Sequence, residues 1–322
     1  MLALASPASL KGVLSPLEAA AALAAGLGRV AGLEVDVAPV ADGGEGTAAV
    51  LQQAIGGSWH TAVVAGPLGR AVTARWLLLD DGTAVVEAAQ ALGLPLLAGD
   101  ELDPLRASSR GLGELLLAAL SARPTSLLVC LGGVATVDGG SGLRTVVGSR
   151  LSCVPIRVAC DVRNPLLGPR GAARVFGPQK GADAATVERL EARLAALDEL
   201  APYRDLPGAG AAGGLGAMLA ALGGELVEGA ELVLDAIRFD ERAAGADLVV
   251  TGEGTVDATT LEGKAPGAVV RRCERLGVRC ELFGGLVRDG LAAHALSGDP
   301  GRASEDLNQL GERLALSLTY DG

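Results

Sequence analysis

The chain has 322 residues, 49% of them apolar and 20% charged, with a formal net charge of −11. At about 100–200 residues per domain this length implies two domains, and the apolar content excludes a disordered chain. The acidic balance and the lack of a clustered basic face exclude a nucleic-acid surface, and no uncharged apolar run reaches the roughly 18–20 residues that span a bilayer.

Residues 2–10 are apolar, but no basic segment precedes them and Lys11 interrupts them, so they predict a strand and loop rather than a secretory signal. Ser15 or Pro16 starts a helix over 17–28. Residues 33–40 alternate as a strand does and lead into Ala41-Asp42-Gly43-Gly44-Glu45-Gly46-Thr47, with a helix from Ala48. Segments 61–64, 73–79 and 83–86 are short strands joined by Gly66-Pro67-Leu68-Gly69 and Asp80-Asp81-Gly82, a hairpin pattern that belongs to a mixed sheet. A helix follows over 108–122, then a buried strand over 126–131 that ends in Gly132-Gly133-Val134-Ala135-Thr136-Val137-Asp138-Gly139-Gly140. A strand at 156–159 reaches Cys160-Asp161-Val162-Arg163-Asn164-Pro165, and a charged amphipathic helix covers 183–200. Residues 207–215 are a glycine run opening into an Ala/Leu helix. Segments 232–237 and 247–250 return to strand character, and the latter feeds the loop Thr251-Gly252-Glu253-Gly254-Thr255-Val256-Asp257. A helix over 266–276 and a strand near 279–283 complete a βαβ-like tail. The expected boundaries are 1–61 with 244–322 for one domain, and 62–243 for a second inserted into it.

Of the 27 basic residues only Lys11, Lys180 and Lys264 are lysine, and each adjoins a glycine. In so arginine-rich a chain, a lysine marks a place that needs a compact ammonium. Three loops share one design: a buried strand, then glycines, then carboxylates (Asp42; Asp138; Glu253 with Asp257). Open α/β sheets bind ligands beyond the carboxyl ends of their strands, and glycine lets backbone N–H groups approach phosphate oxygens. Carboxylates beside phosphate need a cation between them, which implies Mg²⁺. Asp161 and Asn164 form a pair able to orient a hydroxyl or metal, or simply to cap a turn.

Other chemistries find less support. Gly208, Gly210 and Gly213 match the dinucleotide pattern G-x-G-x-x-G, but Pro202 and Pro207 break any strand leading into it. The only histidines, His60 and His294, lie outside the glycine loops, against a hydrolase triad or histidine metal site. The five cysteines contain no C-x-x-C pair, which argues against zinc and for a reducing compartment.

Seven segments, in order along nearly the whole chain, resemble the type I glycerate kinase family. They are Ser9-Leu-Lys11-Gly12, Ala41-Asp-Gly-Gly-Glu-Gly-Thr47, Ala159-Cys-Asp-Val-Arg-Asn-Pro-Leu166, Val175-Phe-Gly-Pro-Gln-Lys-Gly181, Pro207-Gly-Ala-Gly-Ala-Ala-Gly-Gly-Leu-Gly216, Ala246-Asp-Leu-Val-Val-Thr-Gly-Glu-Gly254 and Gly263-Lys-Ala-Pro266. The resemblance implies ATP-dependent phosphorylation of D-glycerate to phosphoglycerate. It also implies an α/β fold, with a Rossmann-like parallel-sheet domain formed by both chain ends and a second mixed α/β domain inserted. Lys11, Asp42, Asp138, Asp161, Asn164, Lys180, Asp257 and Lys264 would then be the catalytic set, with Asp42, Asp138 and Asp257 for Mg²⁺. Gly43, Gly44, Gly132, Gly133, Gly208, Gly210, Gly213, Gly214, Gly252, Glu253 and Gly254 would line the ATP phosphates. The expected partners are D-glycerate and ATP, with no nucleic acid or membrane, a homodimer as the assembly and the cytoplasm as the compartment.

The sequence departs from the family pattern at Ala8, Leu10, Val134, Val137 and Thr255, where a carboxylate, a phenyl ring, a hydroxyl, an amide and a guanidinium are usual. These departures motivate a second reading, a divergent and catalytically weak member that binds a metabolite or acts as a regulatory protein.

Overall fold

A computed structural model describes residues 1–261 and 263–320, with the backbone alone for Tyr320. Among the described residues there are eleven strands: β1 (Leu2–Ala5), β2 (Glu34–Val37), β3 (Ser58–Ala65), β4 (Ala71–Leu78), β5 (Thr83–Glu87), β6 (Ser126–Cys130), β7 (Ile156–Ala159), β8 (Glu225–Val227), β9 (Leu248–Val256), β10 (Cys280–Val287) and β11 (His294–Ala295). They form two sheets, ordered β11-β10-β9-β1-β2 and β3-β4-β5-β6-β7-β8. The chain divides into two compact units: Met1–Asp42 with Ala49–Ala54 and Ala230–Gly322, and Gly43–Ala48 with Ile55–Gly229. The α/β class, with a parallel sheet from both chain ends and a mixed sheet inserted, is the one the sequence predicts.

The first unit's sheet is parallel throughout. Its inner strand β1, between β9 and β2, is apolar at every position because both faces are covered, as parallel sheets require. Alternate residues serve opposite faces. Leu4 and Val249 join a core with Val233, Phe239, Ala268 and Cys273. Ala3, Ala5, Leu248 and Val250 join another with Leu23, Leu27, Leu307 and Leu310. The helix Pro16–Leu27 opens with a capping box in which Ser15 and Glu18 satisfy each other's backbone N–H groups.

In the second unit β3, β4 and β5 are antiparallel neighbours, joined by the Gly66–Gly69 turn and the Asp80-Asp81-Gly82 turn, and β5 to β8 run parallel. Leu112, Leu115, Leu116 and Ala119 of the helix Arg110–Ser121 pack into the core of this sheet.

Two local readings differ from the structure. Residues 232–237 lie in or just after the helix Gly229–Ala236 and are not a strand. Ala230, Val233, Leu234 and Ile237 are the buried positions, a helical spacing that a short apolar run conceals. The loop expected at 251–257 is strand as far as Val256, because β10 supplies pairing partners up to Val287.

The helices Pro16–Leu27 and Ala303–Tyr320 pack closely because glycines meet there. A Cβ on Gly26 would lie 1.9 Å from the Asn308 carbonyl oxygen, and one on Gly311 would lie 2.5 Å from that of Leu23. Gly26→Ala therefore forces backbone apart and is expected to cost about 1–3 kcal/mol in urea unfolding. Gly245→Ala, where a Cβ meets nothing within 4 Å, should stay within about 1 kcal/mol of the parent.

Candidate functional site

In the first unit the polar groups gather at the carboxyl ends of the parallel strands. Beyond β1, the N–H groups of Ser6 and Ala8 donate to the carbonyls of Val250 and Gly252, each at 2.8 Å, and the chain then turns through an exposed Lys11. Gly254 brings β9 against this turn, the position a Cβ would take lying 3.3 Å from the Lys11 backbone nitrogen, and a Cβ on Gly252 would lie 2.2 Å from the Phe283 carbonyl oxygen.

Glu253 is the hub of the group. Its Oε1 accepts from Thr260 Oγ1 at 2.7 Å and from Lys264 Nζ at 3.2 Å, and Lys264 Nζ stands 3.8 Å from Asp257 Oδ1. Burial pushes the Glu253 carboxyl above its ordinary range; Thr260 and Lys264 oppose that shift and the charge of Asp42 adds to it. Asp257 moves the other way, held low chiefly by the Thr259 hydroxyl at 2.5 Å. Lys264 occupies the N-cap position of the helix Ala265–Leu276, with Pro266 in its first turn.

The second unit holds a buried pair. Asp138, 1% exposed, accepts four hydrogen bonds. The Ser109 N–H and Oγ (both 2.8 Å) and the Gly142 N–H (3.1 Å) reach Oδ2, and the Gly140 N–H (3.1 Å) reaches Oδ1. One carboxylate thus binds the starts of the helices Arg110–Ser121 and Ser141–Val147. Lys180, 2% exposed, donates to the Thr136 carbonyl at 2.8 Å. Burial pushes its ammonium down to about 7, with the charge of Asp138 opposing. Thr136 Oγ1 is buried nearby without a hydrogen-bond partner.

The glycines of this unit are demanded by close backbone approach. Gly213 and Gly214 have φ of +69° and +96°, and a Cβ on Gly213 would lie 2.1 Å from the Thr136 oxygen. A Cβ on Gly208 would lie 2.8 Å from Cys160 Sγ, and one on Gly210 would lie 2.3 Å from the Pro165 oxygen. Gly132 donates to the Gly43 carbonyl at 3.3 Å, and a Cβ on it would lie 2.5 Å from the Gly44 Cα, while the Gly133 carbonyl accepts from Leu94 N–H at 3.0 Å. Asp161 Oδ1 accepts from the Gly229 N–H at 2.7 Å, and Asn164 Nδ2 donates to the Arg170 carbonyl at 2.8 Å. Asn164 thus secures its own loop beside Gly208 and Gly210, while Asp161 holds the distant Gly229.

The structure therefore assembles Lys11, Asp42, Gly252, Glu253, Gly254, Asp257 and Lys264 in one unit, and Asp138, Lys180, Gly213 and Gly214 in the other. Sequence reasoning missed four members. Ser109 carried a signal, since a serine precedes the helix there as an N-cap would. Thr260 and Thr136 carried none. Glu87 carried a weak one, an acid ending an apolar strand. It is buried, it accepts from the Ala48 N–H at 2.9 Å, and burial pushes its carboxyl up.

A family model described as the glycerate kinase family matches residues 3–152 and 145–299. A glycerate kinase of Bacillus subtilis (strain 168) is 40% identical, over 90% of this chain and 86% of the relative. A glycerate 2-kinase of Escherichia coli (strain K12) is 40% identical, over 81% and 79%. A crystal structure of a candidate glycerate kinase 2 from Salmonella typhimurium LT2 superposes with a TM-score of 0.84 at 34% identity, covering 100% of this chain and 99% of that one.

Two measurements test the buried pair. Asp138→Asn turns an amide NH₂ toward donors and should lower stability by about 2–4 kcal/mol in urea unfolding, because hydrogen bonds to a charged group are lost and a donor is left unsatisfied. The folded chain releases the Lys180 proton near pH 7 while the unfolded chain keeps it to about 10.5. The unfolded state therefore binds more protons within that window, and the parent gains stability as pH rises through it. Against Lys180→Met, which does not titrate there, the parent should be relatively more stable at pH 9.5 than at pH 7.

Proposed function

The chain belongs to the glycerate kinase family, and on that premise we propose that it transfers the terminal phosphoryl group of ATP to a hydroxyl of D-glycerate. The observation that carries this reading is the group at the carboxyl end of β9. Lys264 lies 3.2 Å from Glu253 and 3.8 Å from Asp257, and Gly254, next to Glu253, lies against the backbone of the Lys11 turn. Phosphoryl transfer asks little covalent chemistry of a protein; it needs positioning and neutralised charge.

Lys11 and Lys264 supply positive charge for the phosphoryl oxygens or for the glycerate carboxylate. Glu253, made more basic by burial, holds Lys264 in place. Mg²⁺ usually takes one or two carboxylates and leaves its other positions to phosphate and water. Among the described residues no three metal-type side chains converge, so the fit is of that open kind, with Asp42 and Asp257 as its carboxylates. When bound, the ion would neutralise charge on the phosphate oxygens. Asp138 spends both oxygens on backbone and Ser109 donors, so its part is to hold the 136–140 loop, with Lys180 fixing that loop through Thr136. The backbone of Gly43, Gly44, Gly132, Gly133, Gly208, Gly210, Gly213 and Gly214 keeps the neighbouring loops close enough to present N–H groups.

The departures from the family pattern do not favour an inactive protein. Ala8, Leu10, Val134 and Val137 are buried in the apolar cores, Val137 completely. They are packing choices, and only Thr255 stands half-exposed.

Purified protein with Mg-ATP and D-glycerate should release ADP in a coupled assay, and no ADP above background would overturn the reading. Lys264→Met should lower kcat by about 10²–10³ with the melting temperature retained. Val137→Asn should restore no activity and should instead destabilise by about 1–3 kcal/mol, since it buries an unpartnered amide.

A further inference from the structure

Four strands end the two sheets, and three of them are guarded in the way natural edges usually are, by shortness or charge. β11 has two residues, β8 has three including Glu225, and β2 has four including Glu34 and Asp36. The fourth, β3, is different. It runs eight residues in unbroken register with β4, has no bulge, and carries no Pro, Lys, Arg, Asp or Glu. Val63 on it is 74% exposed.

The direction of its backbone groups follows from its neighbours. Gly66 N–H donates to the Arg70 carbonyl at 2.6 Å, which makes the even-numbered residues of β3 the ones bonded to β4. Ala65 N–H accordingly turns away and donates to Glu114 at 2.7 Å. Thr61 and Val63 present their N–H and C=O groups on that same outer edge.

We propose that two copies of this chain pair edge to edge through β3, antiparallel about a two-fold axis at Thr61, to form a homodimer whose mixed sheet runs through both copies. The strand is complementary to itself in this register. Thr61 faces Thr61 of the second copy, and Val63 faces Trp59 of the second copy. Threonine pairs and pairs of an aromatic with a β-branched residue are the favourable cross-strand combinations. The Trp59 ring is already steadied by the Arg75 guanidinium, 4.3 Å from its centroid, and His60 is stacked on Trp76 at 4.3 Å. Both tryptophans of this aromatic-poor chain thus stand on this one hairpin. No charged residue lies on the strand, so antiparallel self-pairing sets no like charges against each other, and the most exposed large apolar side chain among the described residues gains a cover.

Light scattering after gel filtration should give the full chain a mass twice its 32.1 kDa. Thr61→Lys and Thr61→Glu put like charges opposite each other at the axis, so each alone should run as a monomer with a near-parental melting temperature, and an equimolar mixture should regain the dimer. On the unaltered chain, hydrogen exchange at the Thr61 and Val63 amides should slow as concentration rises. A monomeric parent, a dimer that survives both charges, or exchange at these amides that ignores concentration would each overturn the proposal.

Discussion

The second unit is organised around a carboxylate that has lost its water. An ionised group inside a protein is tolerable only when its charge is opposed and its lone pairs are bonded. Asp138 meets both conditions, with donors from two separate stretches, Ser109 and the Gly140–Gly142 turn, and the Lys180 ammonium nearby. Much of the local architecture follows. Ser109 must stand at the head of the helix Arg110–Ser121, so that its N–H and hydroxyl converge on one oxygen. Gly140 must turn with φ of +75° to aim its N–H at the other. Gly213 must lack a side chain, because the Thr136 carbonyl that receives Lys180 lies where its Cβ would be.

The first unit reaches order by another route. Its key acid, Glu253, sits within a paired strand rather than on a loop, with β10 in register on either side of it. A side chain carried by a regular element is held more closely than one on a loop. The cost is crowding, and glycines relieve it: a Cβ on Gly285 would lie 2.7 Å from the Gly254 oxygen. The glycines that look in sequence like a flexible phosphate loop are in this unit the means of packing two strands and a turn tightly enough to fix an ion pair.

That difference explains what the sequence could disclose. That Asp138 follows a buried strand and that Lys180 stands on a tight turn was legible, because glycine beside an acid or a lone lysine is a local signal. What each acid does was not. The donors to Asp138 include Ser109, 29 residues away, and no local pattern reports a partner at that distance. The helical segment 232–237 looks like a strand in sequence for a related reason. Its period emerges only with Ala230 included, and its start is anchored by Asp161, which accepts from the Gly229 N–H. Strand β9 outran its expected end because a neighbouring strand, invisible to local propensity, continued the ladder.

Arginine and lysine play different parts in the buried ionic sites. Arg272 is nearly buried, and its planar fork reaches Glu231, Asp235 and Asp240 at once, tying three helices together as a guanidinium can. Lys180 is buried more deeply and donates to the Thr136 carbonyl. A guanidinium there would bring five N–H donors into a space that offers few acceptors, and each unmatched donor would add a desolvation cost. An ammonium is smaller and can also shed its proton, which a guanidinium does not do in proteins. In a chain that otherwise uses arginine for positive charge, Lys180 persists where the site is too small and too dry for the alternative. The same logic suits Lys264, whose compact head fits between Glu253 and Asp257 at a helix start. At Lys180 and Lys264, size and hydration rather than charge alone decide the residue.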